Sequence, residues 1–182
     1  VKPEGNWENK IILKEIKLPT ERILLELKLL RKKKNKPFFD SKVQLDLNCL
    51  WVSALLSAEK ILPNNNFLIL AENYYKNLEK IFFSKERLQH TILKPEVFLE
   101  DYAYSIAMLL DLYDQTLKPN YLFKANQLSK KTIELFYIKD KSIFQKNVVA
   151  TNNLFHAPID ISDGNIPNGN SVMLLNFSRL KM

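Results

Sequence analysis

Three glycines in 182 residues leave this chain few ways to turn tightly, because glycine alone reaches positive φ without steric cost. A β-protein of this length needs many turn residues. The scarcity of glycine, with long segments whose apolar residues recur at three- and four-residue steps, therefore points to helices. A hydrophobic content of 46% is enough to bury one core. The expected fold class is all-α.

Pro19-Thr20-Glu21 opens a first helix with Ile23, Leu24, Leu27 and Leu30 at helical spacing. A second is expected from Asp46 to Leu62, with Leu47, Leu50, Trp51, Ala54, Leu55, Ala58 and Ile61 on its stripe. Pro63-Asn64-Asn65-Asn66 then breaks the chain before a third helix, Phe67 to Phe83. Leu88, His90 and Ile92 alternate with polar neighbours as in a half-buried strand, and two more helices follow, Phe98 to Thr116 and Tyr121 to Tyr137. The second helical pair repeats the first at a shift of 54 residues, which sets Leu55 on Leu109, Leu68 on Leu122, Ala71 on Ala125 and Phe82 on Phe136. Repeated hairpins of this kind stack, either as an open solenoid or as a closed ring. Lys139 to Asn170 loses the pattern, and a last helix starts near Ser171.

The net charge of +7 is carried almost entirely by lysine, with only Arg22, Arg31, Arg87 and Arg179 to make bidentate phosphate contacts. A nucleic-acid partner is therefore not expected. The densest run, Arg31-Lys32-Lys33-Lys34-Asn35-Lys36, falls where a helix ends before Pro37 and suits the helix dipole. A lone Cys49 forms no internal disulfide, and no apolar run reaches the roughly 18–20 residues of a membrane span, so a cytoplasmic protein without a membrane partner is expected. The chain opens at Val1 without an initiator methionine, as the inside of a longer protein would.

Two of the glycines cluster in Asp163-Gly164-Asn165-Ile166-Pro167-Asn168-Gly169-Asn170-Ser171-Val172, a polar segment suited either to a shaped ligand loop or to a tight turn with a helix cap. That cluster belongs to an ordered series: Gly5-Asn6-Trp7-Glu8, Pro37-Phe38-Phe39-Asp40-Ser41-Lys42, Asn48, Phe98-Leu99-Glu100-Asp101-Tyr102-Ala103, and Asp163-Gly164 with Pro167 to Val172. The series resembles the thioredoxin-domain-containing proteins of the spermatogenesis-associated type, and it runs over essentially the whole chain. The resemblance implies a larger protein. A thioredoxin-like domain would come first, then a ring of helical hairpins, an (α/α)6 toroid similar to N-acylglucosamine 2-epimerases and six-hairpin glycosidases. Residues 1–182 would be one segment of that ring, with the thioredoxin-like domain of the same full-length protein as a partner and the closing hairpins outside the chain. The chain departs from the family pattern at Asp40-Ser41-Lys42, where Asp-Asp-Lys is usual, at Asp46-Leu47-Asn48-Cys49, where Ser-Trp-Asn-Gly is usual, and at Asn168, where serine is usual.

In such a ring the loops at one end line a cavity. The resemblance places Asp40, Lys42, Asn48, Tyr102, Asp163, Asn168, Asn170 and Ser171 there as ligand-binding groups, with Asp101, Glu100 and His90 as candidate catalytic groups. Carboxylates accept hydroxyl hydrogens or act as general acid and base, and aromatic faces stack on sugars, so the set suits a carbohydrate-like or other polar small molecule. Sugar isomerase, epimerase or glycosidase chemistry is what the ring implies; whether this chain catalyses is left open. The alternative is a protein-interaction or scaffold module whose polar loops merely cap helices. First-turn acids such as Glu100 and Asp101 are favoured by the dipole alone. On the apolar face of a short strand His90 reads first as a packed, hydrogen-bonded histidine, His156 carries less signal still, and Cys49 reads as a small apolar core residue. Two histidines without cysteines or a spaced carboxylate give no metal site, and no cofactor is expected.

Overall fold

The computed structural model describes residues 8, 19–62, 65–83, 87–93, 96–148 and 158–181. Gly5, Asn6, Trp7 and His156 lie outside the described residues. The chain divides into two units between Ser41 and Lys42.

In the first unit the described helix is α1 (Glu21–Lys33), whose first turn carries Glu21 and whose last turn carries Arg31, Lys32 and Lys33, charges that match its dipole. Arg22 Nε donates to Glu26 Oε1 at 3.1 Å one turn on.

The second unit holds α2 (Leu45–Ile61), α3 (Phe67–Phe82), α4 (Leu99–Thr116), α5 (Pro119–Phe136), a two-residue hairpin of β1 (Tyr137–Ile138) and β2 (Ile143–Phe144), and α6 (Gly169–Leu180). The helices α2, α4 and α6 pack side by side, and α3 and α5 pack back onto α2 and α4 as the second arms of two hairpins. Starts and ends of these hairpins are each offset by 54 residues, as the sequence repeat requires. In the central helix, α4, twelve of eighteen residues are buried, so it is covered on nearly every side. Fully covered Leu45, Phe82, Leu88, Tyr102, Ile106, Met108, Leu109 and Phe136 form the core, each worth about 1.5–3 kcal/mol of burial.

The second row is held by polar contacts as well. Glu72 on α3 accepts from Tyr121 Oη at 2.8 Å, Glu79 accepts from Tyr75 Oη at 2.7 Å and pairs with Lys124, and the Tyr75 and Tyr121 rings meet edge to face.

Leu88 to Ile92 forms no continuous strand. Isolated bridges join Phe83 to Leu88 and Gln44 to Thr91, because each partner offers a single rung before its helix begins or ends. No helix among the described residues is long and apolar enough to cross a membrane.

Candidate functional site

The hairpin repeat builds the site. The amide of Leu45, first residue of α2, donates to the His90 carbonyl at 2.9 Å, and the amide of Leu99, first residue of α4, donates to the Lys146 carbonyl at 2.9 Å. His90 N in turn donates to Glu96 O at 2.9 Å, and Lys146 N to Pro158 O at 2.8 Å. His90 and Lys146 are thus equivalent positions of the two repeats, each with its backbone held on both sides against the start of a helix. Phe98 bridges Asn147 as Gln44 bridges Thr91. The second residues of α2 and α4, Asp46 and Glu100, are equivalent too.

These N-terminal ends border a cleft of about 340 Å³, lined by Gln44, Asp46, His90, Phe98, Glu100 and Lys146 on one side and by Asp160, Gly164, Pro167 and Asn168 on the other. Behind His90 lies Asp101, fully buried. One carboxylate oxygen of Asp101 accepts the Phe98 amide at 2.8 Å, which caps α4, and the other meets His90 Nδ1 at 2.9 Å. His90 Nε2 lies 3.0 Å from the Gln44 side-chain amide nitrogen, and the Phe98 ring stands edge-on to the imidazole at 4.8 Å. In the neutral imidazole, Nδ1–H donates to Asp101 and Nε2 accepts from Gln44. Protonation of Nε2 requires the Gln44 amide to turn and present its oxygen.

The hydrogen bond to Asp101 raises the His90 pKa above its ordinary 6.5; burial opposes the rise, and the charges of Asp101, Asp46 and Glu96 add to it. Burial likewise raises Asp46, helped by Asp101 and opposed by the Leu47 amide and His90. Because folded His90 holds its proton more tightly than the unfolded chain does, its contribution to stability is whole below pH 6.5 and is lost as pH rises through the raised folded value. Urea unfolding measured across that range is expected to show stability falling with pH, and His90→Gln is expected to flatten the slope. An unchanged slope in the variant would assign the titration elsewhere.

Asp46, His90 and Asp101 each present one ligand atom, all within 4.8 Å of one another. An ion at their centre would have to part His90 from Asp101, whose hydrogen bond already uses the facing atoms. The arrangement suits proton transfer better: an imidazole backed by a buried carboxylate, with a second carboxylate beside it.

Of the residues expected at the cavity, His90, Glu100 and Asn168 line the cleft, Asp101 backs it, and Asp163 holds the Asn168 amide at 2.8 Å. The Asn168 side chain caps α6 by accepting from the amides of Asn170 and Ser171, and Tyr104 Oη donates to the Pro167 carbonyl, tying the glycine segment to α4. Asn170 is a structural staple, exchanging hydrogen bonds with Phe144 N and O and donating to Asp160 O. Ser171 faces a separate apolar groove beside α6. Tyr102 is not a stacking platform: it is wholly buried, with its ring against Phe136 and its hydroxyl near the Leu88 amide. Asn48 donates to the Gln44 carbonyl at 2.7 Å and lies outside the cleft lining. Lys42 is exposed and also outside that lining, and exposed Asp40 belongs to the first unit. Cys49 is buried beside Ser105 with its thiol pushed up to about 12 by burial, an inert core residue.

Neither Gly164 nor Gly169 adopts a positive φ. Gly169 serves close approach instead, since a Cβ there would fall 3.0 Å from the Leu99 side chain. The residues that the sequence reading missed are Gln44, Asp46, Lys146 and Asp160. A signal for one of them was present: the 54-residue shift sets Asp46 on Glu100.

No family model and no curated protein sequence matches the chain. Its fold does match solved structures. Cellobiose 2-epimerase from Bacillus thermoamylovorans B4167 superposes with a TM-score of 0.60 at 16% identity over 78% of this chain. A D-mannose isomerase gives 0.64 at 14% over 85%, and a glycoside hydrolase family 76 mannosidase from Bacteroides thetaiotaomicron VPI-5482 gives 0.57 at 15% over 76%. The chain spans 39%, 40% and 39% of those three proteins. Its hairpins are therefore part of an (α/α)6 toroid.

Proposed function

We propose that the cleft at the start of α2, α4 and α6 binds a carbohydrate-like or other polar small molecule, with His90 as its proton-transfer group. The observation that carries this reading is the 2.9 Å contact of His90 with fully buried Asp101 at the cleft wall. Asp101 fixes the ring and offsets an imidazolium charge, Gln44 holds Nε2 until a ligand takes its place, and Asp46 and Glu100 offer acceptors to hydroxyls. Toroids named for cellobiose epimerisation and mannose isomerisation support the ligand class. We further propose that the chain is the early and middle part of the ring domain of a thioredoxin-domain-containing protein of the spermatogenesis-associated type; the five ordered motifs support it.

The test is calorimetry and thermal shift with D-mannose, D-glucose and cellobiose, repeated on His90→Gln. Saturable stabilisation is expected, about 2.7 kcal/mol at a hundredfold excess over Kd, weakened at least tenfold in the variant. Binding that ignores the substitution would remove His90 from the site; no binding of any of them would remove the ligand class.

A scaffold role is the second reading. It draws on Leu174 and Leu175 of α6, 74% and 59% exposed beside the apolar groove of about 720 Å³.

A further inference from the structure

Cations and carboxylates in the cleft do not balance. Lys146 Nζ stands 3.7 Å from Asp160, and His90 Nδ1 is taken by Asp101. Each of these cation-bearing side chains thus stands closest to another acid, and only the longer-range charge of Lys146 reaches Glu100, as that of His90 reaches Asp46. Among the described lining residues, Asp46 and Glu100 remain. Asp46 Oδ1 accepts the Leu47 amide at 2.8 Å and lies 4.0 Å from an imidazole nitrogen already hydrogen-bonded to Asp101. Glu100 Oε2 is buried and has no hydrogen-bond partner among the described residues. The two side chains belong to residues only 9% and 8% exposed, and they occupy the same position of the two repeats.

A buried carboxylate oxygen with no hydrogen bond is costly; it takes up a proton or meets a donor, best of all a cation. The fold keeps Glu100 at the cleft rather than turning it to water, and one of the chain's three glycines has a part in this. A Cβ on Gly169 would sit 3.3 Å from Glu100 Oε1 as well as against Leu99, so the bare Cα leaves the carboxylate its place beside the start of α6. At about 340 Å³ the cleft is near the lower end of ligand-pocket sizes and suits a single sugar ring.

Resting on the reading of this cleft as a ligand site, we infer that its ligand is a small polyol bearing a primary ammonium, an amino sugar in chemical class, with the ammonium between Asp46 and Glu100. An ammonium donates three hydrogen bonds and brings a positive charge into direct contact with the acids, whereas a hydroxyl supplies one hydrogen and no charge. His90 and Gln44 then face the ring hydroxyls.

The experiment compares D-glucosamine, N-acetyl-D-glucosamine and D-glucose by calorimetry at pH 7, on the parent chain, Glu100→Gln and Asp46→Asn. These probes differ at one ring position, and only the first carries a charge. Glucosamine is expected to bind at least tenfold more tightly than the other two, and each substitution is expected to erase that preference. Thermal melting without ligand gives an independent reading: Glu100→Gln removes a buried charge whose Oε2 makes no hydrogen bond and is expected to leave Tm unchanged or higher. A fall in Tm would mean that Glu100 is already paired and would overturn the inference. Glucose binding as tightly as glucosamine would overturn it too while leaving the ligand site standing, and binding of none of the three would take both away.

Discussion

Asp101→Ala is expected to cost about 3 kcal/mol, from a lost charge-assisted hydrogen bond to His90 and a lost cap on the Phe98 amide. For a unit of this size that corresponds to a fall in Tm of about 6–12 °C. The loss is large because the carboxylate is fully buried and serves two partners at once, so its removal strands both an imidazole and a backbone amide away from water. Asp101→Asn separates the two parts. The single asparagine oxygen can still accept the Phe98 amide, so most of the cap survives, while the NH2 that replaces the other oxygen faces His90 Nδ1 and can only donate to it. The lost charge then lowers the His90 pKa. NMR titration of the imidazole is expected to show that shift, while urea unfolding shows a smaller stability loss than with alanine. Equal losses in the two variants would mean that the charge of the carboxylate, not the cap on the Phe98 amide, carries its contribution.

Phe136→Ala and Phe82→Ala are each expected to cost about 3–5 kcal/mol, the range for emptying a fully buried aromatic site. They should differ in what they loosen. The Phe82 carbonyl accepts the Gln89 amide, next to His90, and the Phe136 carbonyl accepts the Gln145 amide, next to Lys146. Phe82→Ala is therefore expected to speed hydrogen exchange at the Leu45 amide, which His90 holds, and Phe136→Ala at the Leu99 amide, which Lys146 holds. The same amide responding to both substitutions would mean that the repeats do not carry their turns separately.

The hairpins were legible because their apolar period is long and their breaks are polar; the boundaries fall within two residues of those read from the pattern. Asp101, Glu100 and His90 were also legible, the acids as first-turn residues and the histidine as one of only two in the chain. What pairs them was not. His90 and Asp101 meet because the turn after α3 hangs its backbone on the start of α2, a contact with no side-chain signature. Lys146 escaped notice because residues 137–144, with their single 3₁₀ turn at Lys139–Lys141, make the second turn longer and break the 54-residue register. Tyr102 reads as a cavity aromatic by its place beside two acids, yet at the fourth position of α4 it points into the core. The glycines signalled a special backbone, but at Gly169 the need is space for Leu99 and Glu100 rather than a left-handed turn.

The central claim is that His90 faces a ligand in the cleft. The most direct measurement is the ¹⁵N chemical shift of its ring nitrogens during a D-mannose titration, with the second histidine removed by His156→Gln. Saturable movement of Nε2, as the ligand replaces Gln44, is the expected result; mannose binding with both ring nitrogens of His90 unmoved would contradict the claim.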